Sequence, residues 1–180
     1  MKSKDVSKLL SLVLRHQPQE LELTLDANGW AEVDVLLVNL KKLKGAHITR
    51  EELDHIVDTN DKKRFIYSDD RAKIRANQGH SINVDVQHKF AIPPTRLFHG
   101  TGVQNKASIL EKGILNMQRL DVHLSQEEST AKQVGSRHGV PFIFVVDTEQ
   151  MHKDGKKFRL AENGVWLVDY VDPKYLILIN

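Results

Sequence analysis

Two short runs in the second half of the chain combine histidine with hydroxyl side chains: Leu97-Phe98-His99-Gly100-Thr101 and Val122-His123-Leu124-Ser125. The first order suits a strand end that brings its backbone close to a flat ligand. Glycine at position 100 takes the Cβ out of that approach. His99 and Thr101 can then supply hydrogen bonds. His99 taken alone also suits a hydrogen-bonded core histidine. The second run repeats the theme of apolar residue, histidine, apolar residue, hydroxyl.

Cations form a second set. The stretch from Lys62 to Arg75 holds Lys62, Lys63, Arg64, Arg71, Lys73 and Arg75, against Asp61, Asp69 and Asp70. On a strand, Arg71, Lys73 and Arg75 share one face and Ala72, Ile74 and Ala76 the other. That face is either solvated or a surface for phosphate or RNA. Arg71 and Lys73 are read as solvated. Leu14-Arg15-His16-Gln17-Pro18 closes a helix, where the macrodipole alone favours a cation. Arg119 precedes His123 by four residues. Arg75-Ala76-Asn77-Gln78-Gly79-His80-Ser81 is either a simple turn or a binding loop. Arg137-His138-Gly139 either ends a helix or helps to hold a ligand.

The elements that carry these groups follow from apolar spacing. Residues 6–14 read as an amphipathic helix capped by Ser3 or Asp5 and ended by Pro18. Leu21, Leu23 and Leu25 alternate, which predicts a short strand. Asn28-Gly29 marks a turn. Asp34 caps a second helix to about residue 43, stopped by Gly45. Thr49-Arg50-Glu51-Glu52 is a capping box for a third helix to about residue 59. Strands at 64–68 and 71–76 complete a winged-helix-like lobe of three helices and a hairpin. Residues 81–96, with Pro93-Pro94, form the crossing to a second lobe. There strands are predicted at 97–101, 122–125, 142–147, 165–168 and 175–179, with helices at 105–112 and 126–136. Ser125 and Glu128 read as another capping box. Trp30 and Trp166 are assigned to the two cores. The class is α+β, with lobes at residues 1–90 and 91–180.

Composition narrows the rest. At 180 residues, 40% hydrophobic and 28% charged, the chain is an ordinary globular protein. Cysteine is absent, so disulfides, thiolate catalysis and cysteine-based zinc sites are excluded. The absence fits a reducing, cytoplasmic setting. No apolar run is long enough to span a bilayer, and the N-terminus lacks the apolar core of a signal peptide. Net charge is only +2. Residues 1–90 hold 15 Lys+Arg against 14 Asp+Glu, and the remainder 11 against 10. Any anion site therefore comes from local clustering rather than overall charge.

Taken in order, these motifs resemble the RNA 2′-phosphotransferase family, the tRNA splicing enzyme and its bacterial KptA relatives. The resemblance covers nearly the whole chain. Its two histidine runs also resemble the nicotinamide-binding strands of ADP-ribosyltransferases. It implies an essential basic set of Arg15, Lys62, Arg64 and Arg119. The substrate phosphate would be bound by Arg15, His16, Arg64, His80 and Ser81. NAD⁺, consumed as co-substrate, would be held by His99, Gly100, Thr101, His123, Ser125 and Val165, with no metal. Many ADP-ribosyltransferases carry a carboxylate at the third strand position. Here that position falls at Val165, and Glu162 lies three residues too early, which fits the phosphotransferase branch.

The implied lobes are an RNA-facing winged-helix-like one and an ADP-ribosyltransferase-like one, with ligands meeting in the cleft between them. The implied reaction removes an internal 2′-phosphate from a tRNA-like RNA through RNA-2′-phospho-ADP-ribose. It leaves 2′-hydroxyl RNA, nicotinamide and ADP-ribose 1″,2″-cyclic phosphate. A monomer is expected. One alternative is an ADP-ribosyltransferase that acts on nucleic-acid terminal phosphates and stops after the first step. Another is a non-catalytic winged-helix module, which would leave His99-Gly100-Thr101 and His123 without a purpose.

Overall fold

Apolar residues three and four apart bury one face of the first helix, α1 (Ser3–Arg15), through Val6, Leu10, Val13 and Leu14. The computed structural model describes residues 3–177. These form two compact units that divide between Gln87 and His88. Both mix helices with small antiparallel sheets, so the class is α+β.

In the first unit, α1 stops at Arg15 and a 3₁₀ turn, Pro18–Leu21, follows. Asp5 lies inside the first turn of α1 and so is not its cap. The alternation of Leu21, Leu23 and Leu25 does not form a strand. Glu22 is left-handed (φ 49°), and the N–H groups of Glu22 and Leu23 bond back to Gln19 and Pro18. Those donors go into a turn, not a ladder.

The next element is β1 (Ala31–Glu32), too short to show in a sequence pattern, which runs straight into α2 (Val33–Lys44). The cap position of α2 is therefore Glu32, without a side-chain bond, and Asp34 sits in the first turn. Gly45 ends α2 in the left-handed conformation (φ 61°). The capping box of α3 (Arg50–Asp58) is present: Glu52 N–H donates to Thr49 Oγ1 at 3.2 Å, and Thr49 N–H to Glu52 Oε2 at 2.9 Å. Strands β2 (Phe65–Tyr67) and β3 (Lys73–Ala76) pair antiparallel, and β1 adds to the other edge of β3. Leu10, Leu14, Leu36, Leu40, Leu53, Phe65 and Ile74 close the core.

Arg71 and Lys73 are not simply solvated. Arg71 belongs to the turn (φ 58°), pairs with Asp54 and Asp58 at 3.4 and 3.6 Å, and stacks over Tyr67. Lys73 sits 3.5 Å from both Asp26 and Glu32. Trp30 is half-buried beneath the Arg75 guanidinium, 4.3 Å from its ring centre, rather than in the core.

The second unit holds two sheets. One has the order β10-β7-β5, from β5 (Arg96–Gly102), β7 (Pro141–Asp147) and β10 (Leu176–Ile177). The other has the order β4-β8-β9-β6, from β4 (Lys89–Phe90), β6 (Val122–Leu124), β8 (Arg159–Leu160) and β9 (Trp166–Val168). Helices α4 (Lys106–Lys112), α5 (Glu128–Gly135) and α6 (Thr148–Lys153) connect them. Tyr175 lies in a 3₁₀ turn, and residues 178 and 179 of the expected last strand lie outside the described residues.

Phe98 and Ser125 exchange two backbone hydrogen bonds, each 2.8 Å, and so stitch β5 to the end of β6. Ser125 is thus a bridge residue and not the cap of α5. That cap is Glu127, which makes no side-chain bond. Leu97, Val122, Leu124, Val146, Phe158 and Trp166 belong to the second core.

Candidate active site

Two clusters of the expected residues assemble, one in each unit. In the first unit, the cation that ends α1 meets the segment that leaves β3. Ser81 N–H donates to the Arg15 carbonyl at 3.0 Å, and His16 Nδ1 lies 2.8 Å from Ser81 Oγ. Residues 65 positions apart are thereby fixed side by side. The same segment grips the other arginine. Asn77 N–H donates to the Arg64 carbonyl at 2.9 Å, and the Asn77 side-chain amide donates to the carbonyl of Lys63. Asn77 to Ser81 therefore acts as a strap with one end on Arg64 and the other on Arg15.

Arg64 is further aimed by Asn60, whose Oδ1 accepts from both its main-chain N and its Nη1 at 3.3 Å. Lys62 is exposed on the same loop, and Lys63 takes a left-handed backbone (φ 40°). His80 is only 1% exposed, and a Cβ on Gly29 would stand 3.5 Å from its Nε2. Its ring lies inside the unit, while Ser81 is exposed. Sequence reasoning gave Asn60 and Asn77 no role. Their one signal was an asparagine on each side of the basic loop.

In the second unit, His99 and Thr101 stand on the same face of β5. His99 Nδ1 donates to the His123 carbonyl on β6 at 3.1 Å. Burial lowers the His99 pKa, and the nearby charges of Arg119 and His138 add to that against the opposing His123 carbonyl bond. The ring is therefore neutral at pH 7, with Nε2 as an acceptor. Arg119 is positioned by a turn in which its N–H bonds to the Asn116 carbonyl. Its Nη1 donates to His123 Nδ1 at 3.0 Å. Since arginine only donates, that nitrogen of His123 carries no proton in this bond. Desolvation and the charge of Arg137 lower the Arg119 pKa, yet a guanidinium stays charged at any working pH. Arg119, with the charge of Arg137 near it, and the neutral His99 ring thus meet at His123, a set of groups able to donate to an anion and to accept a proton.

The remaining positions divide. Thr101 is 6% exposed and accepts from Asn105 Nδ2 at 3.0 Å. Val165 immediately precedes β9 after a turn containing Gly164 (φ 81°), with Glu162 exposed in that turn. Gly100 has a different reason from the one its sequence suggests. A Cβ there would lie 1.7 Å from the Ala131 carbonyl oxygen of α5. The close approach that requires glycine is that of a helix, and any ligand contact at residue 100 is left to backbone atoms. Among the described residues, no group of three or more His, Cys, Asp or Glu could hold a metal ion. Nor is any helix among them long and apolar enough to cross a membrane.

A mixed α+β protein with one cluster built on Arg15 and Arg64 and another on Arg119 and His99 carries donors suited to anionic groups. The chain belongs to the RNA 2′-phosphotransferase, Tpt1 / KptA family, whose model matches residues 1–170. It is 49% identical over 174 residues to a probable RNA 2′-phosphotransferase of Flavobacterium johnsoniae, covering 97% of this chain and 95% of the relative. It is 48% identical over 179 residues to one of Hahella chejuensis, covering 99% and 96%. A similar protein of Streptomyces coelicolor is 48% identical over 171 residues, covering 95% and 92%.

Proposed function

We propose that this chain removes an internal 2′-phosphate from RNA at the expense of NAD⁺, in two steps. The first unit, read as winged-helix-like, takes the RNA. The second, read as ADP-ribosyltransferase-like, takes NAD⁺. The observation that carries the NAD⁺ assignment is the neutral, half-buried His99 bonded to His123, with Arg119 alongside. A neutral ring can accept a hydroxyl or amide proton without repelling a cationic nicotinamide. Arg137 suits the pyrophosphate. His99, Gly100, Thr101, His123, Ser125 and Val165 are the residues assigned to this ligand.

In the first step, an oxygen of the RNA 2′-phosphate attacks the ribose carbon that bears nicotinamide. The glycosidic bond breaks, nicotinamide leaves, and RNA-2′-phospho-ADP-ribose forms. Arg15, His16, Arg64 and Ser81 hold the phosphate dianion, whose charge matches two arginine forks. His80, 1% exposed, is assigned to the same phosphate. In the second step, the ribose 2″-hydroxyl attacks phosphorus and the bond to the RNA 2′-oxygen breaks. That oxygen takes up a proton, and ADP-ribose 1″,2″-cyclic phosphate leaves. Lys62 and Arg119 stabilise charge on the non-bridging oxygens, preorganised before it develops.

The test is an incubation with an RNA bearing one internal 2′-phosphate, with and without NAD⁺, in the presence of a chelator. The expected result is 2′-hydroxyl RNA and released nicotinamide in equal amounts, only with NAD⁺. Dephosphorylation without NAD⁺ refutes the proposal. A stable ADP-ribosylated RNA instead marks the terminal-phosphate type of transferase.

A further inference from the structure

The cations of the first unit are not equivalent. Lys42 and Lys44 of α2 pair with Glu22 and Glu20, while Lys41 beside them is exposed and forms no ion pair among the described residues. Arg50 and Arg71 pair with Asp54, and Lys73 with Asp26 and Glu32. The surface of α3, which carries Glu51, Glu52 and Asp58, is acidic and exposed. On these surfaces carboxylates stand beside most of the cations. Lys4 and Lys8 on α1 differ. Both are exposed, and neither forms an ion pair among the described residues.

Their spacing gives them a direction. At about 100° per residue, Lys4, Lys8, Ser11 and Arg15 fall within roughly 60° of one another around α1. They form a single stripe that ends at Arg15. Lys8 stands about 10 Å from Arg15 along the axis, and Lys4 about 6 Å further. Asp5, the helix's only carboxylate, lies to one side of the stripe. The basic loop runs beside the same helix, because Asn60 Nδ2 reaches Ser7 Oγ at 3.5 Å while Asn60 also holds Arg64. Lys63, exposed on that loop, likewise forms no ion pair among the described residues.

We propose that α1 is the track for the RNA chain flanking the modified nucleotide: its phosphates run from Arg15 past Ser11 to Lys8 and Lys4. The inference rests on the RNA-directed reading above and adds the path of the polymer. A stripe of lysines along one helix face, with no base-reading groups between them, touches backbone and not sequence. The unit would therefore prefer longer RNA over shorter without regard to base identity. The acidic α3 leaves the route along that helix unfavourable, unlike the usual recognition-helix docking of winged folds.

The experiment measures binding, without NAD⁺, of a 2′-phosphorylated dinucleotide and a 2′-phosphorylated 10-mer over a range of salt concentrations. The protein should bind the 10-mer more tightly. In Lys4→Gln/Lys8→Gln the ratio between the two affinities should collapse towards one. The slope of log affinity for the 10-mer against log salt should fall by about 1.4, which is roughly 0.7 for each of two lysine–phosphate pairs on a single strand. That corresponds to a loss of up to about 25-fold at 0.1 M salt, vanishing towards 1 M. Lys41→Gln/Lys42→Gln, the same charge change on α2, is the control. An unchanged ratio and slope in the α1 variant, an equal effect in the control, or equal affinity of the parent protein for both RNAs overturns the track. Turnover of the dinucleotide with NAD⁺ reports separately on the functional reading, so the two can fail independently.

Discussion

Gly100→Ala adds one methyl group, and the structure says where it goes. The new Cβ would stand 1.7 Å from the Ala131 carbonyl oxygen and 2.5 Å from its carbon, both backbone atoms of α5. Real carbon–oxygen separations do not fall below about 3 Å, so α5 must shift by more than about 1 Å or β5 must bend. Gly102 and Gly135 flank the same crossing: a Cβ on Gly102 would meet the His138 carbonyl at 2.4 Å, and one on Gly135 the Thr101 carbonyl at 2.7 Å. The helix cannot slide along the strand to escape. Overpacking of this kind costs about 1–3 kcal/mol, and backbone on both sides puts it at the upper end. For a unit of this size that is a fall in Tm of roughly 10–20 °C. The assay is thermal unfolding of parent and variant with no ligand present. If Gly100→Ala unfolds at the parent temperature and loses only NAD⁺ affinity, the glycine serves the ligand and the packing argument is refuted.

Three further outcomes follow from the same geometry. Burial lowers the His99 pKa below its unfolded value, so the unfolded state binds the extra proton first as pH falls. The stability this residue contributes is complete above about pH 6.5 and is lost progressively below it; urea unfolding of the parent should weaken from about pH 7 to about pH 5 more than that of His99→Gln, and equal losses would contradict it. Asn77→Ala removes the bond to the Lys63 carbonyl in a site 1% exposed, a cost of about 1–3 kcal/mol, and Asn77→Asp should cost more by placing a carboxylate against that carbonyl; an Asp variant as stable as the parent would show that the strap does not hold the basic loop. Arg119→Ala and Lys62→Ala should slow the second step on the order of 10²–10³-fold and accumulate RNA-2′-phospho-ADP-ribose on a gel; unreacted RNA alone in both variants would move them to the first step.

The local devices were readable from sequence because they are encoded locally. Pro18 after Arg15, Gly45 after Lys44, and Thr49 with Glu52 mark their helix ends whatever surrounds them. The long strand β5 showed because its pattern extends over several residues. What escaped depends on partners distant in the chain. Strands β1, β4 and β8 are two residues long and exist only through β3, β8 and β9 beside them. Ser125 looked like a cap because Glu128 follows at the right spacing, but Phe98, twenty-seven positions earlier, had already claimed its backbone.

The site divides in the same way. Arg15, His16, Arg64 and Ser81 were legible as residue types, and the strap that unites them was not. Asn77 looks like any turn asparagine until Lys63 and Arg64 are placed beside it. Gly100 was singled out for a ligand, and a Cβ there would meet α5. Arg71 and Lys73 could not be told from free surface cations, because their carboxylates come from α3 and from the segment that leads into and includes β1.

The central claim is that the RNA 2′-phosphate leaves on ADP-ribose. It is tested most directly by following that phosphate. An RNA labelled with ³²P only at its internal 2′-phosphate is incubated with the protein and NAD⁺, and the products are separated by thin-layer chromatography. The label should move entirely from RNA to ADP-ribose 1″,2″-cyclic phosphate. Label recovered as inorganic phosphate would contradict it.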